Sequence, residues 1–153
     1  MRQPAQVLVV PFQIVKGELL LAILKRHDMN MWQWVAGGVE ENESIQQAAL
    51  RESKEELGIQ CCDLKIMALE SKCSIPKIYF DGNENWSKDT FTVTEHSFAI
   101  EIPTNKKLAL SAEHTSHQII KYDELCNFHT WDSNRTAAWE LHQRLLTAGV
   151  IMR

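Results

Sequence analysis

The sequence predicts an α/β fold, a mixed β-sheet carrying helices on both faces in an α/β/α sandwich. Three observations predict it. Runs rich in Val, Ile, Leu, Phe and Thr, the mark of strands, recur before and after the middle of the chain. Two helical patterns interrupt them, one in the middle and one at the C-terminal end. The 153 residues suit one domain, residues 1–153, with a sizeable core.

Gln6 to Val15 reads as the first strand, Lys16-Gly17 as a turn, and Glu18 to Lys25 as a returning strand. Lys25, Arg26 and His27 then form a small basic cluster. Alone it is a solvated surface patch; beside an acidic helix it is placed to contact phosphate. Trp32-Gln33-Trp34-Val35-Ala36 leads into a glycine turn at Gly37-Gly38. The two tryptophans read as packing, with ring stacking as the alternative. An acidic loop, Glu40 to Glu43, precedes the first helix.

Ser44 can cap that helix, and Gln47 three residues on completes a capping box. Gly58 is placed to end it in a left-handed C′ position. Ile45, Ala49, Ser53 and Leu57 form an i+4 stripe suited to packing on a sheet. Beyond the helix, Asp63 to Lys72 reads as a strand. Pro76 to Lys88 holds the turn signal Asp81-Gly82-Asn83 and reads as a loop beside the substrate pocket. Thr90 to Ile102 alternates as a strand, Pro103 to Lys107 is a polar turn, and Gln118 to Tyr122 is a short strand. Ser133 opens a final amphipathic helix to about Thr147, apolar at Ala137, Ala138, Leu141 and Leu145.

The chemistry lies in the first helix. Glu52, Glu55 and Glu56 stand at i, i+3 and i+4, on one helix face. Three like charges there destabilise the helix unless something neutralises them. Mg²⁺, a hard cation, takes oxygen ligands and leaves positions for water and phosphate oxygens. Arg51, four residues before Glu55, can hold that carboxylate in place. The bland alternative is a solvated acidic face. His96, His114, His117, His129 and His142 share no spacing and read as structural.

The run from Gly37 to Ile59 resembles the Nudix box, G-x5-E-x7-R-E-U-x-E-E-x-G-U with U a bulky apolar residue. Gly37, Glu43, Arg51, Glu52, Glu55, Glu56, Gly58 and Ile59 match; Ser53 departs from the first U position. The resemblance implies the same α/β/α sandwich and Mg²⁺-dependent hydrolysis, with Mn²⁺ as the alternative ion, of a nucleoside diphosphate linked to another group. Carried over by motif position, Glu52 and Glu56 are the first metal ligands, and Glu55 is a ligand or positions one. The backbone carbonyl of Ala36 is a further ligand. Arg51 orients a carboxylate, and the general base is assigned to Glu52. Arg2-Gln3-Pro4, Trp32-Gln33, Ala112-Glu113-His114 and Trp131 to Arg135 resemble the bacterial branch acting on dihydroneopterin triphosphate and dATP. That narrower likeness implies Glu113 as another metal ligand and Arg2, Lys25, Ala36 and Ser133 as substrate contacts. Ala36 stands where that branch carries a hydroxyl residue, a departure that bears on pterin selectivity. The alternatives are a dinucleoside polyphosphate hydrolase and a non-catalytic nucleotide-sensing module.

Composition sets the remaining bounds. A net charge of −4 argues against a general nucleic-acid-binding surface but not against a small anionic substrate, a nucleotide or pterin triphosphate. The four cysteines, Cys61, Cys62, Cys73 and Cys126, have no C-x-x-C spacing and read as reduced thiols of a cytoplasmic protein. The apolar run Val7 to Val10, stopped by Pro11, is too short to span a membrane and lacks a signal-peptide layout. Oligomeric state leaves no sequence signature here.

Overall fold

The computed structural model describes residues 2–59, 64–104 and 114–152. Among them are seven strands: β1 (Arg2–Val15), β2 (Glu18–Arg26), β3 (Trp32–Gln33), β4 (Val35–Glu40), β5 (Lys65–Pro76), β6 (Thr92–Glu101) and β7 (His114–Lys121). Two helices accompany them, α1 (Ile45–Leu57) and α2 (Asp132–Thr147). The sheet is mixed and open. Its order is β3-β2-β1-β6-β5, with β4 also paired to β1 and β7 to β2.

β1 is the spine. Along one edge it runs parallel to β6, from Ala5 opposite Thr94 to Phe12 opposite Glu101. Along the other edge its first half pairs with β4 and its last residues with β2, both antiparallel. The β1–β2 turn uses Lys16 at φ 53° and Gly17 at φ 76°, the two left-handed residues that a tight hairpin of type I′ needs. Successive strand side chains point to opposite faces, so β1 divides its apolar residues between two cores. Val7 and Val9 join Leu24, Val35, Phe98 and Ile100 beneath Ala48, Ala49 and Leu57 of α1. Leu8, Val10 and Phe12 join Leu21, Ile23 and Trp34 beneath Ala137, Ala138, Leu141 and Leu145 of α2. A helix therefore covers each face, as the sequence predicts.

The helix ends are built from local chemistry. Ser44 Oγ accepts from the Gln47 N–H at 3.0 Å, and Gln47 Oε1 accepts from the Ser44 N–H at 2.8 Å. Gly58 closes α1 at φ 65°. Ser53 is fully buried, and its hydroxyl donates to the Ala49 carbonyl at 2.7 Å, so the polar group in the packing stripe is satisfied. α2 starts at Asp132, which puts Ser133 in its first turn. Asn134 locks α2 to the sheet: its Oδ1 accepts from the Trp34 N–H at 2.9 Å, and its carbonyl accepts from Trp34 Nε1 at 2.7 Å. Glu140 accepts from the N–H groups of Glu70 (2.7 Å) and Ser71 (2.8 Å), where the β5–β6 register slips.

Several boundaries differ from the sequence reading. Gly37 and Gly38 belong to β4 rather than to a turn, and neither has a positive φ. β1 begins at Arg2, β5 runs on to Pro76, and β7 begins at His114. Short 3-10 turns occupy Lys77–Tyr79, Asn83–Asn85 and Tyr122–Asn127. Cys61, Cys62, Asp63 and Glu113, and most of the 103–107 turn, lie outside the described residues. Cys73 and Cys126 are free thiols. No helix among the described residues is long and apolar enough to cross a membrane.

Candidate active site

On the α1 side of the sheet, the acidic helix lies against the β4 glycines. Glu52 rests over Gly37: a Cβ there would fall 2.1 Å from the Glu52 carboxyl carbon. Glycine is therefore required for close approach, not for a turn. Glu56 is 2% exposed, and Glu52 shares a hydrogen bond with it. Burial pushes the Glu52 carboxyl above its usual range, against the hydrogen bonds from Arg51 and Glu56. A buried carboxyl in contact with one that is 14% exposed needs a shared proton or a cation between the two.

Arg51 is the brace of this site. Nε donates to Glu43 Oε2 at 2.7 Å and Nη2 to Glu43 Oε1 at 2.9 Å, a forked pair. Nη1 donates to Glu52 Oε1 at 2.8 Å, and Nη2 also reaches the Gly38 carbonyl at 3.0 Å. The Arg51 hydrogen bonds hold Glu43 below the usual carboxylate range, and Glu43 in turn raises Arg51. Glu55, the partner suggested by spacing, stands 3.5 Å from Nη1 with its side chain 59% exposed. Arg51 therefore holds Glu43 and Glu52 more closely than Glu55. A shallow cavity of ≈ 430 Å³ beside them is lined by Gln47, Leu50, Arg51, Lys54 and Glu55.

The donor set of Glu52 and Glu56, hard oxygens in a cradle that a Cβ would fill, fits a cation such as Mg²⁺ that keeps water and phosphate among its ligands. Among the described residues no three His, Cys, Asp or Glu side chains converge to hold an ion. Glu113, the ligand implied from outside the box, is not one of the described residues.

The residues implied for substrate are spread over β1, β2, β4 and the first turn of α2. Ala36 borders the α2-side core. Lys25 lies with its Nζ 5.9 Å from the Trp32 ring centroid, and Trp32 meets Phe128 edge-on at 5.2 Å. Arg2 occupies the space left by Gly38, where a Cβ would fall 2.2 Å from its Nε. Its guanidinium sits 5.0 Å from the Phe80 ring centroid and donates to Gln6 Oε1, while its carbonyl accepts from Trp86 Nε1 at 2.8 Å. The loop predicted to line the pocket thus contacts Arg2 through Phe80 and Trp86. Two adjacent glycines seat Glu52 on one face of β4 and Arg2 on the other.

A NUDIX domain profile matches residues 2–141. The chain belongs to the NUDIX family. A NUDIX structure from Listeria monocytogenes is similar to this chain at 36% identity and a TM-score of 0.85, over 99% of this chain and 100% of that one. The dihydroneopterin triphosphate diphosphatase of Escherichia coli K12 is 29% identical over 119 residues, 76% of this chain and 77% of the relative. The structure of the Escherichia coli dihydroneopterin triphosphate pyrophosphohydrolase is similar at 25% identity and a TM-score of 0.72, over 92% of this chain and 97% of that one. The chain is a NUDIX hydrolase of the pyrophosphohydrolase type.

In this NUDIX hydrolase the structure brings together Arg51, Glu52 and Glu56 at the α1 side of the sheet, while Arg2 lies over Gly38 on the other face of β4, Lys25 lies by Trp32 and Ser133 stands in the first turn of α2. Sequence reasoning missed Glu95. It is 6% exposed on β6 and accepts a hydrogen bond from Ser133. Burial pushes its carboxyl above the usual range, against that hydrogen bond. The signal was available: Glu95 stands two residues from Val93 and Ser97, so the strand alternation turns it toward the buried side.

Proposed function

We propose that this NUDIX hydrolase is a cytoplasmic, Mg²⁺-dependent pyrophosphohydrolase. It cleaves a nucleoside or pterin triphosphate, of the dATP or dihydroneopterin triphosphate type, to the monophosphate and pyrophosphate. The observation that carries this reading is the contact between buried Glu56 and Glu52, with Glu52 seated over Gly37 and held by Arg51. A purely binding module has no use for two acids forced together in this way.

Glu52 and Glu56 would hold Mg²⁺, with the Ala36 carbonyl, Glu55 and Glu113 available to complete the set. When bound, the ion supplies neutralising charge for the breaking phosphoanhydride and acidifies its water. Arg51 fixes the Glu52 carboxylate, and Glu43 fixes Arg51 in turn. Glu52 accepts the proton of the attacking water as general base. Arg2 and Lys25 offer cationic contacts to the phosphate chain, and Ser133 and Ala36 border the ring. The likeness to the dihydroneopterin triphosphate diphosphatase supports a small-molecule triphosphate as the substrate class.

The test is a panel of dATP, dihydroneopterin triphosphate, 8-oxo-dGTP and diadenosine tetraphosphate with Mg²⁺, reading kcat/KM and products. Pyrophosphate release from the first two, with little action on the last, is the expected outcome. Glu56→Gln should lower kcat/KM by at least about a hundred-fold on every substrate while circular dichroism stays unchanged. Full activity in that variant removes the metal assignment.

A further inference from the structure

The start of β1 departs from regular pairing just where it passes the acidic loop. Between the pairs Arg2–Glu40 and Gln6–Gly38 the β1–β4 register slips, with four residue steps on β1 against two on β4. Pro4, which has no N–H for a ladder, stands inside this bulge, and the parallel pairing with β6 begins only at Ala5. A bulge re-aims the side chains it contains. Gln3 is the one turned to the loop: its Nε2 donates to the Glu40 carbonyl at 2.8 Å and to the Glu43 carbonyl at 3.0 Å. A glutamine amide carries two N–H donors, so this single side chain staples both ends of the loop.

The loop needs a staple. Asn42 holds a left-handed φ of 66°, and three of the four residues 40–43 are acids beside an acidic helix. Like charges push loop and helix apart. From the loop a run of hydrogen bonds leads to the reacting site. Glu43 Oε1 accepts from the Glu40 N–H at 2.9 Å and from Arg51 Nη2 at 2.9 Å, and Oε2 accepts from Arg51 Nε at 2.7 Å. Arg51 Nη1 then donates to Glu52 Oε1 at 2.8 Å. The backbone that carries Gln3 is itself held, because Trp86 Nε1 donates to the Arg2 carbonyl at 2.8 Å.

We propose that Gln3 is a positioning residue for the hydrolytic reaction. Its amide fixes the loop, the loop fixes the Glu43 carboxylate, and Glu43 fixes Arg51 and through it Glu52. Both acceptors of Gln3 are backbone carbonyls, so its action on the reacting site is indirect. The proposal rests on the pyrophosphohydrolase reading and adds to it a residue outside the glycine and acid motif.

The test begins with Gln3→Met, which keeps the length of the side chain and removes both donors. With the best substrate of the panel and saturating Mg²⁺, kcat should fall roughly ten- to a hundred-fold while KM stays within about three-fold. Gln3→Lys restores an N–H donor at similar reach and should return kcat to within about three-fold of wild type. Ser44→Ala, which weakens the same helix without touching this chain of bonds, should keep its kcat and so separates positioning from lost stability. The readout apart from turnover is the Arg51 Nε–H resonance of the isotope-labelled protein in EDTA. In wild type it should exchange slowly with water, and in Gln3→Met at least about ten-fold faster. A Gln3→Met kcat within about two-fold of wild type, an unchanged Arg51 signal, or a Gln3→Lys variant as impaired as Gln3→Met overturns the proposal. Should Gln3→Met fail to fold, wild type decides: its Gln3 side-chain amide should exchange at least about ten-fold slower than a free glutamine amide, and exchange at the free rate overturns the proposal. Wild type without Mg²⁺-dependent hydrolysis strikes the pyrophosphohydrolase reading, whereas an active wild type matched by Gln3→Met strikes Gln3 alone.

Discussion

At Gly37 the missing side chain is what admits Glu52 to its place. The Cβ of an alanine would lie 2.1 Å from the Glu52 carboxyl carbon, so the carboxylate must move. Gly37→Ala should therefore fold yet lose activity, since a misplacement near 1 Å costs on the order of a hundred-fold. Steady-state kinetics with a Mg²⁺ titration would check it, and a kcat/KM near wild type would show that the cradle is irrelevant. At this scale the sequence was legible for Arg51, Glu52 and Glu56, because an i, i+3, i+4 pattern on a helix fixes which side chains share a face. It was not legible for the partner of Arg51. The pairing with Glu43 and the Gly38 carbonyl depends on how a loop folds back, and spacing along the helix points only to Glu55.

The elements read from the sequence in proportion to how local their causes are. Both ends of α1 came out as expected, because a capping box and a C′ glycine act within four residues. Ser44→Ala removes the acceptor for the Gln47 N–H and should cost about 1 kcal/mol. That is a fall in Tm of roughly 2–4 °C in a chain of this size, seen in a thermal melt. Activity at room temperature should hardly change, because the cap lies at the far end of the helix from Glu56. β4 was misread for the opposite reason. Glycines usually announce turns, but Gly37 and Gly38 are glycine on account of Glu52 and Arg2, residues distant in sequence. The extra length of β1, β5 and β7 was hidden similarly, because pairing with a neighbouring strand overrides a weak local propensity.

For the molecule as a whole, the two-faced burial of β1 was visible in its continuous apolar run, and it dictated a helix layer on each side. The placement across β4 was not visible: Glu52 against Gly37 on the α1 face and Arg2 against Gly38 on the other. Mg²⁺ bound at Glu52 and Glu56 would favour the folded state by mass action. At a concentration about 100 times its Kd it should add about 2.7 kcal/mol. That corresponds to a rise in Tm of roughly 5–11 °C for wild type, with little or none for Glu56→Gln, by calorimetry with and without EDTA. Equal shifts in both proteins would place the ion elsewhere. One feature of the sheet also governs how the chain comes into being. Ala5 lies beside Thr94 and Phe12 beside Glu101, in parallel. A ribosome therefore delivers the spine first and its companion on that edge much later. Throughout that interval the newborn chain shows an open, apolar border to the cell, and the fold can close only when synthesis has passed Glu101.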